Sequence, residues 1–117
     1  MDHNIEVVEH GIKLNSNVLT VWLADGSNFP GQHHFRRAFA RTQDSLQQIY
    51  KAMPADWSML IEYKPYEPSF YSMVIPDWGT SLQLSQTCGE RANVLVDLGH
   101  HLPSTNIEQI VARLLHF

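Results

Sequence analysis

The chain has 117 residues, 44% of them hydrophobic, one cysteine, and a formal net charge of -4 from eight basic and twelve acidic side chains. That length suits one ordinary domain with enough apolar residues for a packed core, and the acidic balance without a long basic cluster argues against a nucleic-acid partner. No apolar run approaches the roughly 20 residues needed to span a bilayer, and the opening MDHNIEVVEH lacks the basic start and apolar core of a signal peptide. With Cys88 unable to form an internal disulfide and sitting in an apolar helical pattern, the expectation is a cytoplasmic protein with no membrane partner.

In chain order, Ile5, Val8 and Ile12 recur at near-helical spacing across residues 4–14, and Asn15 and Asn17 are suited to end a helix there. Residues 18–23, VLTVWL, are β-branched and aromatic and predict a strand running into the turn-rich ADGSNFPG. From 32 to 53, apolar or small side chains at Phe35, Ala38, Phe39, Leu46, Ile49 and Met53 mark one face of a long amphipathic helix that Pro54 closes. His33 and His34 are adjacent at its start, point in different directions and are read as helix-entry residues. Residues 58–62, SMLIE, predict a short strand ending in an acid, followed by YKPYEPSFYS, whose prolines are expected to forbid regular structure. Tyr63, Tyr66, Phe70 and Tyr71 are read as pinning that loop rather than as a platform for a ring.

Asp77 can cap a further helix reaching about Cys88, with Gly89 as its stop. Next comes NVLVDLGHH, 93–101, where Val94, Leu95 and Val96 predict a strand buried on both faces. Thr105 with Glu108 three residues on forms a capping-box pattern, and Ile107, Ile110, Val111, Leu114 and Leu115 the expected buried face of a last helix. Val21, Ile61 and Leu95 lie 40 and 34 residues apart, spacings of repeated strand-helix units with right-handed crossovers. A complete (β/α)8 TIM barrel takes about 250 residues. The fold expectation is therefore α/β: residues 1–117 as a single partial domain, an internal segment of a TIM barrel with three consecutive parallel strand-helix units.

In α/β folds ligands gather outside the carboxyl ends of the parallel strands. Asp97 stands at such an end, followed by Gly99, His100 and His101, and Glu62 occupies the matching place one unit earlier. An aspartate and a histidine three residues apart across a strand end can meet on one metal ion, whereas local capping or hydrogen bonding is the commoner fate of such residues.

These residues carry a resemblance to a known family. TVWLADGSNFPGQ at 20–32, IEYKPYEPSFYS at 61–72 and LVDLGHHLPSTNIEQIVARL at 95–114 resemble, in order, an internal segment of the bacterial L-rhamnose isomerase family, of the xylose-isomerase-like TIM-barrel superfamily. The resemblance implies a homotetrameric, divalent-metal-dependent aldose-ketose isomerase, typically converting L-rhamnose to L-rhamnulose by a metal-assisted hydride shift between C1 and C2. By position, Glu62 matches a structural-metal carboxylate, Asp97 a carboxylate between the two metal positions, and His100 a ligand of the catalytic metal. Lys64 matches the catalytic and substrate-binding lysine beside the sugar oxygen at C1, and Trp22 an aromatic wall of the substrate pocket. The family's remaining ligands, a histidine on the next strand and aspartates beyond it, have no counterpart among these 117 residues.

Carboxylates with imidazole suit manganese, magnesium, cobalt or zinc without choosing among them, and the resemblance puts manganese first, with cobalt, zinc or magnesium as alternatives. The competing readings are a catalytically silent truncated α/β fragment and another sugar isomerase or epimerase of the same superfamily.

Overall fold

Helices and strands alternate along the chain as the hydrophobic periodicity predicts, and the cap residues set most of their limits. A computed structural model describes residues 1–27, 31–66 and 72–117. Its elements are α1 (Asp2–Lys13), β1 (Val18–Val21), β2 (Gly26–Ser27), α2 (Phe35–Ala52), β3 (Ser58–Glu62), β4 (Ser72–Met73), α3 (Trp78–Cys88), β5 (Ala92–Leu95) and α4 (Ile107–His116).

The His34 side chain accepts from the backbone N–H of Arg37 at the start of α2, so His34 is a helix-entry residue. That helix stops at Met53, which precedes Pro54 and takes the extended conformation that a following proline favours. Asp77 caps α3 by accepting from Thr80 N–H at 2.8 Å and from the Thr80 hydroxyl at 3.0 Å. Gly89 ends that helix at φ 139. A Cβ there would lie 2.6 Å from Oη of Tyr50, so both the backbone angle and the space require glycine.

The strands β1, β3 and β5 form one parallel sheet in sequential order. Register places Leu19 beside Met59 and Met59 beside Ala92, and Val21 beside Ile61 and Ile61 beside Val94. Those rows point to one face, where Leu19, Val21, Met59, Ile61 and Ala92 pack with Val8 of α1, Leu46 and Ile49 of α2 and Leu84 of α3. Sequential parallel strands joined by right-handed crossovers put their helices on one side of the sheet, as found here. Ser81 of α3 is fully buried against that face and donates its hydroxyl to the Ile61 carbonyl at 2.7 Å. At the strand entries Arg91 donates to the carbonyls of Pro54 (2.9 Å) and Trp57 (2.8 Å), with its guanidinium 4.4 Å from the Tyr50 ring centre.

Four expectations need correction. The strand expected at 18–23 ends at Val21, leaving Trp22 and Leu23 outside it. The strand at 93–101 is not buried on both faces: Asn93 is exposed and Val94 and Leu95 half-buried, because β5 pairs with β3 alone among the described residues and helices cover one face. The last helix is capped by Asn106, which accepts from Gln109 N–H at 2.9 Å, not by Thr105 with Glu108. Its Ile110 is buried, but Val111 and Leu115 are exposed, at 38% and 84%. Lastly, the proline-bounded loop is not wholly irregular. Ser72 and Met73 pair antiparallel with Ser27 and Gly26, a two-residue ladder too short to register in hydrophobic periodicity. Gly26 permits it, since a Cβ there would fall inside the Ser72 carbonyl. Cys88 is half-buried at the end of α3, where burial pushes its thiol above the ordinary range, with the Thr87 side chain pulling the other way.

Candidate functional site

The carboxyl ends of β1, β3 and β5 lie side by side, and the residues that leave them meet there. Glu62 is the last residue of β3 and pairs in register with Leu95, the last of β5. Two residues past Leu95, Asp97 opens a tight turn: its Oδ1 accepts from Gly99 N–H at 2.7 Å, and its carbonyl accepts from His100 N–H at 3.1 Å. This turn swings the His100 imidazole back over the end of β3.

There Nδ1 of His100 lies 2.7 Å from Oε1 of Glu62, and Nε2 lies 3.8 Å from Oδ2 of Asp97. One ligand atom from each of Glu62, Asp97 and His100 falls within 4.8 Å of the other two, and all three residues are half-buried. Trp22, the first residue past β1, holds its ring centre 5.9 Å from that of His100. Lys64, two residues past Glu62, sets Nζ 5.7 Å from the Trp22 ring centre, within cation-π reach. All five residues singled out in the sequence, Trp22, Glu62, Lys64, Asp97 and His100, thus come together on one side of the sheet. Lys64 lies two residues beyond the end of β3, and its approach to the Trp22 ring puts it on the same side as Glu62 and His100.

Two carboxylates and an imidazole are a donor set that hard or borderline divalent ions accept. The Nδ1 atom of His100 is buried and faces the Glu62 carboxylate at 2.7 Å, so a nitrogen donor and an oxygen donor are aimed at one small space. The residues present fit a divalent metal.

A pair that sequence reasoning did not connect lies just behind. Tyr63 points to the opposite side of β3 from Glu62 and is buried in the core at 2% exposure. Its hydroxyl is 2.6 Å from Nε2 of His101, and the two rings meet edge to face at 5.4 Å. Burial pushes the Tyr63 phenol up to about 12, with the negative charge of Asp77 adding to the shift. The only sequence signal for the pair was adjacency, Glu62-Tyr63 and His100-His101. The other aromatics read as loop pins divide: Tyr66 is 44% exposed and bridges to Ser72, whereas Phe70 and Tyr71 lie outside the described residues. His33 sits apart from the carboxylate-imidazole group, with Nδ1 2.5 Å from the Ser27 hydroxyl.

No protein-family model matches the chain. Over all 117 residues it is 53% identical to a protein of Mesorhizobium japonicum named a probable sugar isomerase. It is 55% identical over the same length to one of Rhizobium meliloti given the same name. The chain spans 27% of the length of each of these relatives. Among solved structures, a protein of Sinorhizobium meliloti superposes with a TM-score of 0.73 over 97% of this chain and 41% of its own, at 18% identity, a likeness of fold.

Proposed function

We propose that the chain is a segment of a divalent-metal-dependent aldose-ketose isomerase, with L-rhamnose and L-rhamnulose as its substrate pair. The observation that carries this reading is the convergence of Glu62, Asp97 and His100 within 4.8 Å at the carboxyl ends of adjacent parallel strands. The sugar-isomerase names of relatives at 53–55% identity support the reaction class, and the three loop motifs support the rhamnose pair. The sequential order of three parallel strands with helices on one face supports a wall of a TIM barrel, because doubly wound sheets reverse strand order and carry helices on both faces. On this reading the uncovered face is the barrel interior and the whole protein is a cytoplasmic homotetramer.

The resemblance divides Glu62 and His100 between two metal positions, but their approach to 2.7 Å brings them to one, so Glu62, Asp97 and His100 would hold one cation, manganese first, with cobalt, zinc or magnesium as alternatives. When bound, a divalent cation supplies Lewis-acid polarisation and a template for two neighbouring sugar oxygens. The chain's own residues do the rest. Lys64 carries an ammonium on the same side as Glu62 and stabilises negative charge developing at the C1 oxygen. Trp22, 43% exposed, offers an apolar face that excludes water beside that charge and so strengthens the interaction. The Asp97 turn fixes the imidazole against the strand end before any sugar arrives, so little reorganisation is left for the reaction.

The test uses the full-length protein, stripped of metal with a chelator and assayed with L-rhamnose. Ketose should form only after manganese or another divalent ion is restored. Undiminished activity in the stripped protein would remove the metal, and activity on a different aldose with none on L-rhamnose would remove the substrate assignment.

A further inference from the structure

Across the ends of β3 and β5, two consecutive residues on one side face two consecutive residues on the other. Glu62 meets His100 at 2.7 Å, and Tyr63 meets His101 at 2.6 Å. The first contact lies on the uncovered side of the sheet and the second in the helix-covered core.

We propose that Tyr63 and His101 form a positioning pair that sets where the Asp97-His100 turn sits, and thereby holds His100 and Asp97 in register with Glu62 for cation binding. The inference rests on the metal reading given above. It follows from what fixes the turn and what does not. The bonds from Asp97 to the N–H groups of Gly99 and His100 set the shape of the turn, but they are internal and leave its placement on the molecule free. Its entry is held by Val96, which packs against the core, but beyond Asp97 the turn exposes Leu98 and Leu102, at 73% and 50%, and has no apolar anchor of its own there. Tyr63 is part of the packed core and is 2% exposed, so its hydroxyl is a fixed point. The His101 ring is tied to it twice, by the hydrogen bond and by the edge-to-face contact. Neighbouring Cα atoms are about 3.8 Å apart, so fixing His101 leaves the His100 backbone little freedom. Neither Tyr63 nor His101 touches the proposed cation, and both act through the residues beside them.

The experiment measures Mn2+ binding to the metal-free full-length protein, reading free Mn2+ by electron paramagnetic resonance. Tyr63→Phe removes one hydroxyl and keeps the ring. It should raise the Mn2+ dissociation constant about tenfold or more, within the range seen when partners behind metal ligands are lost. His101→Leu should match it, and His101→Gln, which keeps a polar atom within reach of the phenol, should recover part of the loss. Circular dichroism of the metal-free variants checks that each is folded. Wild-type Mn2+ affinity in Tyr63→Phe and His101→Leu, even with lowered melting temperatures, would make the pair merely structural and overturn the proposal. Glu62→Gln separates the two levels: if it weakens Mn2+ binding and Tyr63→Phe does not, only the positioning role fails. If Glu62→Gln leaves binding unchanged, the metal reading fails and the positioning role with it.

Discussion

Oε1 of Glu62 and Nδ1 of His100 lie 2.7 Å apart, brought together from the ends of two neighbouring parallel strands. The Glu62-Leu95 register fixes the level of the two strand ends, and the Asp97 turn carries the imidazole back across the gap. A carboxylate thus faces each ring nitrogen of His100, Glu62 at Nδ1 and Asp97 at 3.8 Å from Nε2, and this cluster is the one proposed to take a cation.

Lys64 is given a role in turnover and none in cation binding. Lys64→Met in the full-length protein should lower kcat by about a hundredfold or more, the effect of removing one donor aimed at developing negative charge. Mn2+ affinity should stay at the wild-type value. Steady-state kinetics beside a manganese titration measures both, and unchanged turnover would show that the lysine is only a charge beside Trp22.

The Tyr63 phenol makes stability pH-dependent in the alkaline range. Its folded pKa, about 12, stands above the ordinary 10.0 of the unfolded chain, so the folded state favours the protonated phenol. Its contribution is complete below pH 10 and is lost as the pH rises from 10 towards 12. Denaturant unfolding followed across that range should show a steeper fall in stability for wild type than for Tyr63→Phe. Equal slopes would contradict the shift.

Gly89→Ala tests the fold away from the site. At φ 139 an L side chain is strained, and the new methyl would meet Oη of Tyr50 at 2.6 Å. Tyr50 also stacks under Arg91, so its ring is not free to retreat without loosening the clamp on the carbonyls of Pro54 and Trp57. The cost should be about 1–3 kcal/mol, seen as a lower midpoint in chemical denaturation. A midpoint equal to wild type would mean that the helix end relaxes.

Much of this architecture was legible in the sequence because it is written in short-range signals. SMLIE is a strand over its full predicted length, and Asp77 and Gly89 bound a helix as their side-chain chemistry dictates. The neighbourhood of Glu62, Asp97 and His100 was legible because strand ends and the repeat of units place the two acids at equivalent positions, whereas Trp22 and Lys64 were singled out only by the resemblance of the loop motifs. What failed depended on partners distant in sequence. Whether β5 is covered on one face or two is settled by where helices pack, and the apolar run VLV is compatible with either. The Gly26-Met73 ladder joins residues nearly 50 positions apart through backbone groups that carry no side-chain pattern. At α4, both Thr105 and Asn106 are good cap residues, and the backbone turn chose the second. The Tyr63-His101 contact needed the same register that brings Glu62 to His100, so only the folded chain discloses it.

The central claim is that one divalent cation binds among Glu62, Asp97 and His100. It is tested most directly by soaking crystals of the full-length protein in Mn2+ and collecting anomalous diffraction data near the manganese absorption edge. The account predicts an anomalous peak with a carboxylate oxygen of Glu62, one of Asp97 and a ring nitrogen of His100 each at about 2.0–2.6 Å from it. A peak bound elsewhere with these three side chains unchanged, or no peak at saturating Mn2+, would contradict it.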